Sequence, residues 1–424
     1  VVKGFRGKQG WQKKGDFAGL TDEDLLADYR WLVSEEGRRW VDRVAGERGS
    51  TLLLLKRLRR VLSASRARLV VEQCQLRRKA REKFPWADRM FFTRKGLEQA
   101  TDAWVASYKA GRFVPGQRVA DLCCGIGGDL QALCRRGPVQ AVDRDPVAVV
   151  LARANTEAIN PGGNPSLEVE VCCRDLGGIE HQLEALSAWH IDPDRRPAGR
   201  RSVQPMVSSP PWEVIEGLWN VCAHAAVKLA PAAELSPAWQ AKAELEWISF
   251  RGRCREQVAW FGYLAGSPGK RVATVLGDTP EPCQVSAERL VGDPKVVPPL
   301  ASQMGPIVCD PDPAVLAAGL LGELCRQFGL ETLAPSGGYL TGKEIPTSGL
   351  VQSYSLEDVV PLDINKLRQY LRARNVGEVI VKKRSVKIDA EELRAKLKLR
   401  GNNTIHLIIA EFKRHFYALV VRPT

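Results

Sequence analysis

The sequence predicts an α/β protein, with a Rossmann-like doubly wound sheet between an N-terminal helical region and a C-terminal α+β unit. Three observations predict it. A short apolar segment, residues 118–122, runs into the turn Cys123-Cys124-Gly125-Ile126-Gly127-Gly128 and then a helical pattern. A second strand and helix and then a third strand follow directly. From residue 364 onward the pattern changes to helix, strand, helix and two closing strands. A chain of 424 residues has room for two or three such units.

Taken in order, residues 1–20 are Gly/Lys-rich and read as a loose tail. Residues 21–110 read as helices, opened by Thr21-Asp22-Glu23-Asp24, with Leu55, Leu58 and Leu62 at helical spacing. The α/β domain is expected over 111–278. Its strands are 118–122, Val139–Asp143 and 167–172, with helices 129–136 and 148–158 between them, and further strands at 188–191, 223–229, 245–250 and 271–276. Prolines crowd residues 279–335, which read as a linker region. Residues 336–424 form the last unit: helix 364–374, strand 378–383, helix 390–398, then strands near 404–410 and 416–421.

Composition narrows the function. Hydrophobic residues make up 44% and charged residues 26%, which excludes a disordered, collagen-like or membrane-embedded chain. Lys and Arg number 62 against 49 Asp and Glu, a net charge of +13 that predicts a polyanionic partner, nucleic acid ahead of a membrane surface. That charge is segregated: residues 51–95 carry an excess of 11 positive charges and residues 341–424 an excess of 7. A solvated face ordinarily mixes both signs. The 11 cysteines contain no C-x-x-C pair, and with five histidines they offer no zinc ligand set, so no metal is expected. Thiols used as small core residues suit a reducing compartment. The N-terminal segment lacks a leader-like apolar core, and the aliphatic run Leu52 to Leu55 is too short for a bilayer, so a cytoplasmic protein is expected.

The glycine turn carries the chemistry. Such turns cradle either phosphates or the amino-acid part of S-adenosylmethionine. Here Asp121 stands on the strand before the turn residues Cys123, Gly125 and Gly127. A carboxylate there suits a cationic amino group and repels a pyrophosphate. Asp143, ending the second strand, can accept both ribose hydroxyls, and Asp175, after the third, can receive an adenine amine. Three acids at three successive strand ends are a stronger signal than a lone glycine motif.

These residues resemble the class I S-adenosylmethionine-dependent methyltransferases, with Cys123 at the position of their first glycine. The D-L-x-C-G-x-G turn is similar to that of RNA methyltransferases. With the segment Thr93-Arg-Lys-Gly-Leu-Glu-Gln-Ala-Thr101 and the basic C-terminal unit, the chain from about residue 35 resembles a bacterial family pairing such a methyltransferase with a THUMP-like domain. The resemblance implies S-adenosylmethionine as cofactor and RNA as partner, because THUMP domains of other enzymes bind RNA. It also implies that Thr93 to Thr101 closes over the cofactor carboxylate, through Thr93 and Gln99, with Glu98 and Thr101 also on offer.

The methyl acceptor is expected against the loop after the fourth strand. Two stretches compete for it: His190-Ile191-Asp192-Pro193-Asp194-Arg195-Arg196 and Ser208-Ser209-Pro210-Pro211-Trp212. The second is similar to the S-P-P-W of trimethylguanosine synthase. The first partly resembles the D-P-P-R of uridine C5 methyltransferases. Those enzymes need a thiol after the next strand, where this chain has Lys228-Leu229. Direct transfer to nitrogen or oxygen is therefore expected. Asp192 would orient or deprotonate the acceptor, Lys228 would hold a phosphate or the Asp192 carboxylate, and Arg195 and Arg196, with Arg200 and Arg201, would grip RNA phosphates. Trp212 is a candidate base-stacking residue that could equally be packing. Two rival expectations are an RNA-binding protein with little turnover and a methyltransferase acting on a protein or small molecule.

Overall fold

The computed structural model describes residues 21–47, 49–159, 168–177, 185–194, 209–384 and 386–424. The expected tail and the arginines 195, 196, 200 and 201 lie outside the described residues. The chain divides into two compact units, residues 1–187 and 188–424, at a point inside the expected 111–278 domain.

The first unit opens with helices α1 (Asp22–Val33), α2 (Glu35–Ala45), α3 (Thr51–Leu58) and α4 (Ala64–Ala80). Thr21 begins α1 with a capping box, its hydroxyl accepting from Asp24 N while the Asp24 carboxylate takes Thr21 N. α4 buries Leu69, Val70, Val71 and Leu76. The leucines of α3 do less: Leu58 is buried, but Leu52 and Leu53 are 61% and 66% exposed. Helices α5 (Arg94–Gln99) and α6 (Ala103–Ala110) lead to β1 (Val119–Leu122), α7 (Leu130–Leu133), β2 (Val139–Asp143), α8 (Pro146–Ala158) and β3 (Val169–Cys173). The three strands are parallel in the order β3-β2-β1. α8 starts as its sequence dictates, with Asp145 capping Val147 N and Pro146 in the first turn. The helix expected over 129–136 is shorter, a single turn.

The second unit begins with β4 (Ala188–Ile191), α9 (Trp212–Val221) and β5 (Ala225–Leu229), and β4 and β5 are parallel. After α10 (Pro237–Lys242) come β6 (Glu244–Phe250), β7 (Arg253–Trp260), β8 (Arg271–Leu276) and β9 (Ala287–Gly292), giving the order β4-β5-β7-β6-β8-β9. β7 lies between β5 and β6 through a two-residue hairpin at Arg251-Gly252, and is antiparallel to both. A second sheet follows: β10 (Ile307–Pro311), α11 (Pro313–Ala318), α12 (Leu321–Phe328), β11 (Glu331–Thr332), β12 (Leu340–Gly342), β13 (Val351–Pro361), α13 (Ile364–Ala373), β14 (Val376–Lys383), α14 (Ala390–Leu397), β15 (Asn403–Phe412) and β16 (His415–Pro423). Its order is β11-β12-β10-β13-β16-β15-β14. Period-two alternation splits β15 between two cores. Leu407 and Ile409 pack with Leu367, Leu371 and Leu393 of the helices, while Ile408 packs with Tyr339, Tyr354 and Leu419.

Residues 279–335 are not the linker that their prolines suggested. They hold β9, β10, α11, α12 and β11. Pro313 occupies the first turn of α11, where a missing N–H costs nothing, and Asp312 caps that helix through Ala314 N. These residues and the last unit are both tied back to the strands before them. Buried Ser249 on β6 donates to Asp312 at 3.1 Å, and Glu288 on β9 accepts from Ser348 Oγ and Gly349 N.

Candidate active site

The glycine turn leaves β1 with its backbone set by left-handed residues. Cys123, Gly125 and Gly127 have φ of 57°, 55° and 86°. A side chain at Cys123 costs roughly 1–2 kcal/mol relative to glycine in that region. The turn is fastened to β2, since Cys124 N donates to Val142 O at 3.1 Å and Gly125 N to Asp143 Oδ2 at 2.8 Å. Asp143 Oδ1 accepts from Asp145 N at 2.9 Å. Burial raises the Asp143 carboxyl above its ordinary value, against the lowering effect of those two amides and of Arg144 and Lys95. Asp121 is buried on β1. Asp143 pairs across the sheet with Cys173, which places Asp175 just beyond, exposed at the end of β3. The three acids thus do stand at successive strand ends. A Cβ built on Gly125 would meet nothing within 4 Å, whereas one on Gly128 would lie 3.0 Å from the Thr101 backbone. The open side of the turn is at Gly125, and Gly128 is there for close packing.

The Thr93 to Thr101 segment is held on several sides. Thr93 Oγ1 accepts from Gly96 N, capping α5, and Gln99 is half-buried. The Lys83 ammonium donates to the carbonyls of Leu97, Glu98 and Ala100 at the end of α5. Thr101 Oγ1 donates to Asp129 at 2.6 Å, and Asp129 is paired with Lys109 at 2.8 Å, all three buried. Two buried amides lock the residues just before. Gln73 of α4 exchanges two hydrogen bonds with the Phe92 backbone. Asn155 of α8 does the same with Phe91 and also donates to Ile126 O in the glycine turn. Sequence reading missed Gln73, Asn155, Lys109 and Asp129. Each is a polar residue inside a helical pattern, and only its burial reveals it.

In the second unit, Asp192 follows β4 and Lys228 lies on β5. Lys228 Nζ donates to Asp192 Oδ2 at 2.6 Å and lies 3.5 Å from Glu256 Oε2 on β7. Lys228 and Glu256 are buried, whereas Asp192 is partly exposed. Lys228 thus holds the Asp192 carboxylate, one of the two roles expected for it. Glu256 went unremarked in the sequence because β7 itself was not foreseen. The two competing stretches come together: Asp194 and Ser209 exchange backbone hydrogen bonds at 2.9 Å each way. Trp212 is a packing residue and not an open stacking face. It is buried at the start of α9, donates to Glu216, and meets Trp239 edge-on at 5.5 Å. Burial raises the Cys222 thiol, and burial with the charges of Asp312 and Glu256 pushes the Cys254 thiol up to about 12. Neither is primed as a thiolate. Among the described residues no cluster of His, Cys, Asp or Glu could hold a metal ion, and no helix is long and apolar enough to cross a membrane.

A glycine turn opening onto acid-tipped parallel strands is the candidate cofactor site. Carboxylates at the strand ends fit S-adenosylmethionine, whose polar groups there are a cation and hydroxyl and amine donors. An uncharacterized S-adenosylmethionine-dependent methyltransferase of Mycobacterium tuberculosis, from strain H37Rv, is 32% identical over 378 residues, covering 85% of this chain and 98% of its own; the protein from strain CDC 1551 / Oshkosh matches to the same extent. Residues 351–423 match the THUMP domain-like family, and residues 23–80 match a domain of unknown function. A solved structure of a candidate methyltransferase from Porphyromonas gingivalis W83 has the same fold, with a TM-score of 0.75 at 20% identity over 96% of this chain and 99% of that one. The chain belongs to this family of S-adenosylmethionine-dependent methyltransferases, and S-adenosylmethionine is its methyl donor.

Proposed function

We propose that this methyltransferase modifies RNA, tRNA or rRNA, by direct transfer to a nitrogen or oxygen. The substrate class rests on the THUMP domain-like match at 351–423, within a stretch carrying an excess of 7 positive charges. The observation that carries the chemistry is the Asp192–Lys228 pair after β4 and on β5. When bound, S-adenosylmethionine supplies an electrophilic methyl on a sulfonium. Alignment, desolvation and a proton acceptor then suffice. Asp192, held by Lys228 with Glu256 behind it, orients the acceptor N–H or O–H and receives its proton as the new bond forms. Asp121, Asp143 and Asp175 take the amino group, the ribose hydroxyls and the adenine amine of the cofactor, and Thr93 and Gln99 belong to the segment that covers its carboxylate. A thiolate route to C5 is disfavoured by the raised Cys222 and Cys254 thiols.

Incubation with labelled S-adenosylmethionine and total RNA, followed by nucleoside analysis, tests the reading. Label should enter an N- or O-methylated nucleoside. Asp192→Asn should lower turnover by about 10²-fold, while Cys222→Ser with Cys254→Ser leaves it within a few-fold. RNA containing 5-fluoropyrimidine should form no covalent adduct. Label in protein alone, or a cysteine-dependent adduct, would overturn it.

A further inference from the structure

The connection between β15 and β16 is two residues long, Lys413-Arg414, closing on the Phe412–His415 pair. Both residues are left-handed, with φ of 48° and 64°. Two positive φ values in succession define the type I′ hairpin, whose natural occupants are Asn-Gly. Lys and Arg carry a steric penalty there at each position. A turn selected for stability alone would not keep them.

What this strained turn presents is specific. Lys413, Arg414, His415 and Phe416 are all exposed, Phe416 by 43% despite its size. Lys413 Nζ lies 5.3 Å from the Phe412 ring centroid. The neighbouring strand β14 runs parallel to β15 and ends in Lys382-Lys383, with Lys383 opposite Ile409, but Lys382 is paired with Asp310 and Lys383 Nζ donates to Ile388 O, so the charge offered at the tip is that of Lys413 and Arg414. Two acids lie near: Asp363, whose carboxylate caps α13 through Asn365 N and Lys366 N, and Glu411, opposite Phe416 on the same hairpin, one negative charge against the two cations of the turn.

We infer that the β15–β16 tip is a contact point for RNA, with Lys413 and Arg414 on backbone phosphates and Phe416 against a base. The inference rests on the RNA reading above and adds where the strand is held. Backbone strain kept in place of the ordinary turn residues is the mark of a functional constraint. A polyanion answers the paired cations, and an unpaired base answers the exposed ring.

The test uses the full-length protein with Lys413→Asn and Arg414→Gly combined, a change that suits the turn and should hold or raise the melting temperature. Fluorescently labelled bulk tRNA is titrated at several salt concentrations. Affinity should fall about tenfold, and the slope of log K against log salt should become shallower by about 1.5, because two phosphate contacts release fewer counterions. Phe416→Ala should weaken binding several-fold with the salt slope unchanged. If the wild type binds tRNA and the turn variant binds it equally with the same slope, the tip assignment fails while the RNA reading stands. If the wild type binds no RNA, both fail. Binding of the wild type, but not the variant, to vesicles containing phosphatidylserine, with tRNA affinity unaltered, would make the tip a membrane contact and overturn the assignment.

Discussion

Asp143→Asn probes the proposed cofactor site most directly. Both Asp143 oxygens already accept a backbone N–H, from Gly125 at 2.8 Å and Asp145 at 2.9 Å. Each oxygen retains a second acceptor direction, which leaves room for two ribose hydroxyls. Asparagine keeps one oxygen, and in either orientation its NH2 group faces an amide N–H. The variant therefore loses one backbone bond as well as its charge, at a cost of about 1 kcal/mol in stability. Loss of a charge-assisted bond to the ribose is worth about 1.5–3 kcal/mol, or roughly 10- to 150-fold in affinity for S-adenosylmethionine. The pH dependence supplies a second readout. Burial raises the carboxyl in the folded protein, so this group favours folding most below the unfolded value of 3.8 and that contribution is lost as pH rises through the folded value. Cofactor hydroxyls donate to the anion, so affinity moves the other way. It rises with pH across the same window, and binding there releases a proton. Calorimetry in buffers of different ionisation enthalpy measures both. A folded Asp143→Asn variant with wild-type affinity and wild-type proton release would refute the assignment.

Two further outcomes follow from the same turn. Asn155→Ala strands the buried Phe91 N–H and the carbonyls of Phe91 and Ile126, which after relaxation should cost about 3 kcal/mol and weaken cofactor binding; an unchanged melting curve would show that the amide is dispensable. Cys123→Gly relieves a left-handed side chain and should stabilise the protein by about 1 kcal/mol with cofactor affinity held within a few-fold; a lower melting temperature would mean that the thiol, and not the backbone, is what the turn needs.

Much of the fold was legible because its signals are local. The strands at 139–143, 188–191 and 271–276 were expected with the bounds they have, being apolar runs closed by turn residues. β7 was not foreseen, since Arg253, Arg255 and Glu256 interrupt its apolar run and its pairing with β5 depends on distant residues. The prolines of 279–335 misled because proline marks a helix start as readily as a loop. The acids at 121, 143 and 175 were readable from spacing along strands. Glu256 and the buried amides were not, because what makes them noteworthy is the partner each one meets.

Left-handed residues divide the same way, and the division separates geometry that merely ends an element from geometry that carries a side chain at a cost. Among the described residues six that are not glycine have positive φ: Cys123, Arg251, Asn375, Lys398, Lys413 and Arg414. Lys398 caps α14, and Asn375 directly follows the cap of α13, where helices commonly finish in this conformation. Arg251 shares its hairpin with Gly252, which has the same hand. These three need no further cause. Cys123 lies inside the glycine turn of the proposed cofactor site, and Lys413 and Arg414 are consecutive in a two-residue loop that glycine would fill with less strain. Glycine replacement should therefore raise stability at both places but divide them in function. At Cys123 it should spare cofactor binding, because the proposed site has the cofactor meet the backbone of the turn. At Lys413 and Arg414 it should remove RNA contacts, because there the side chains are what the turn holds out.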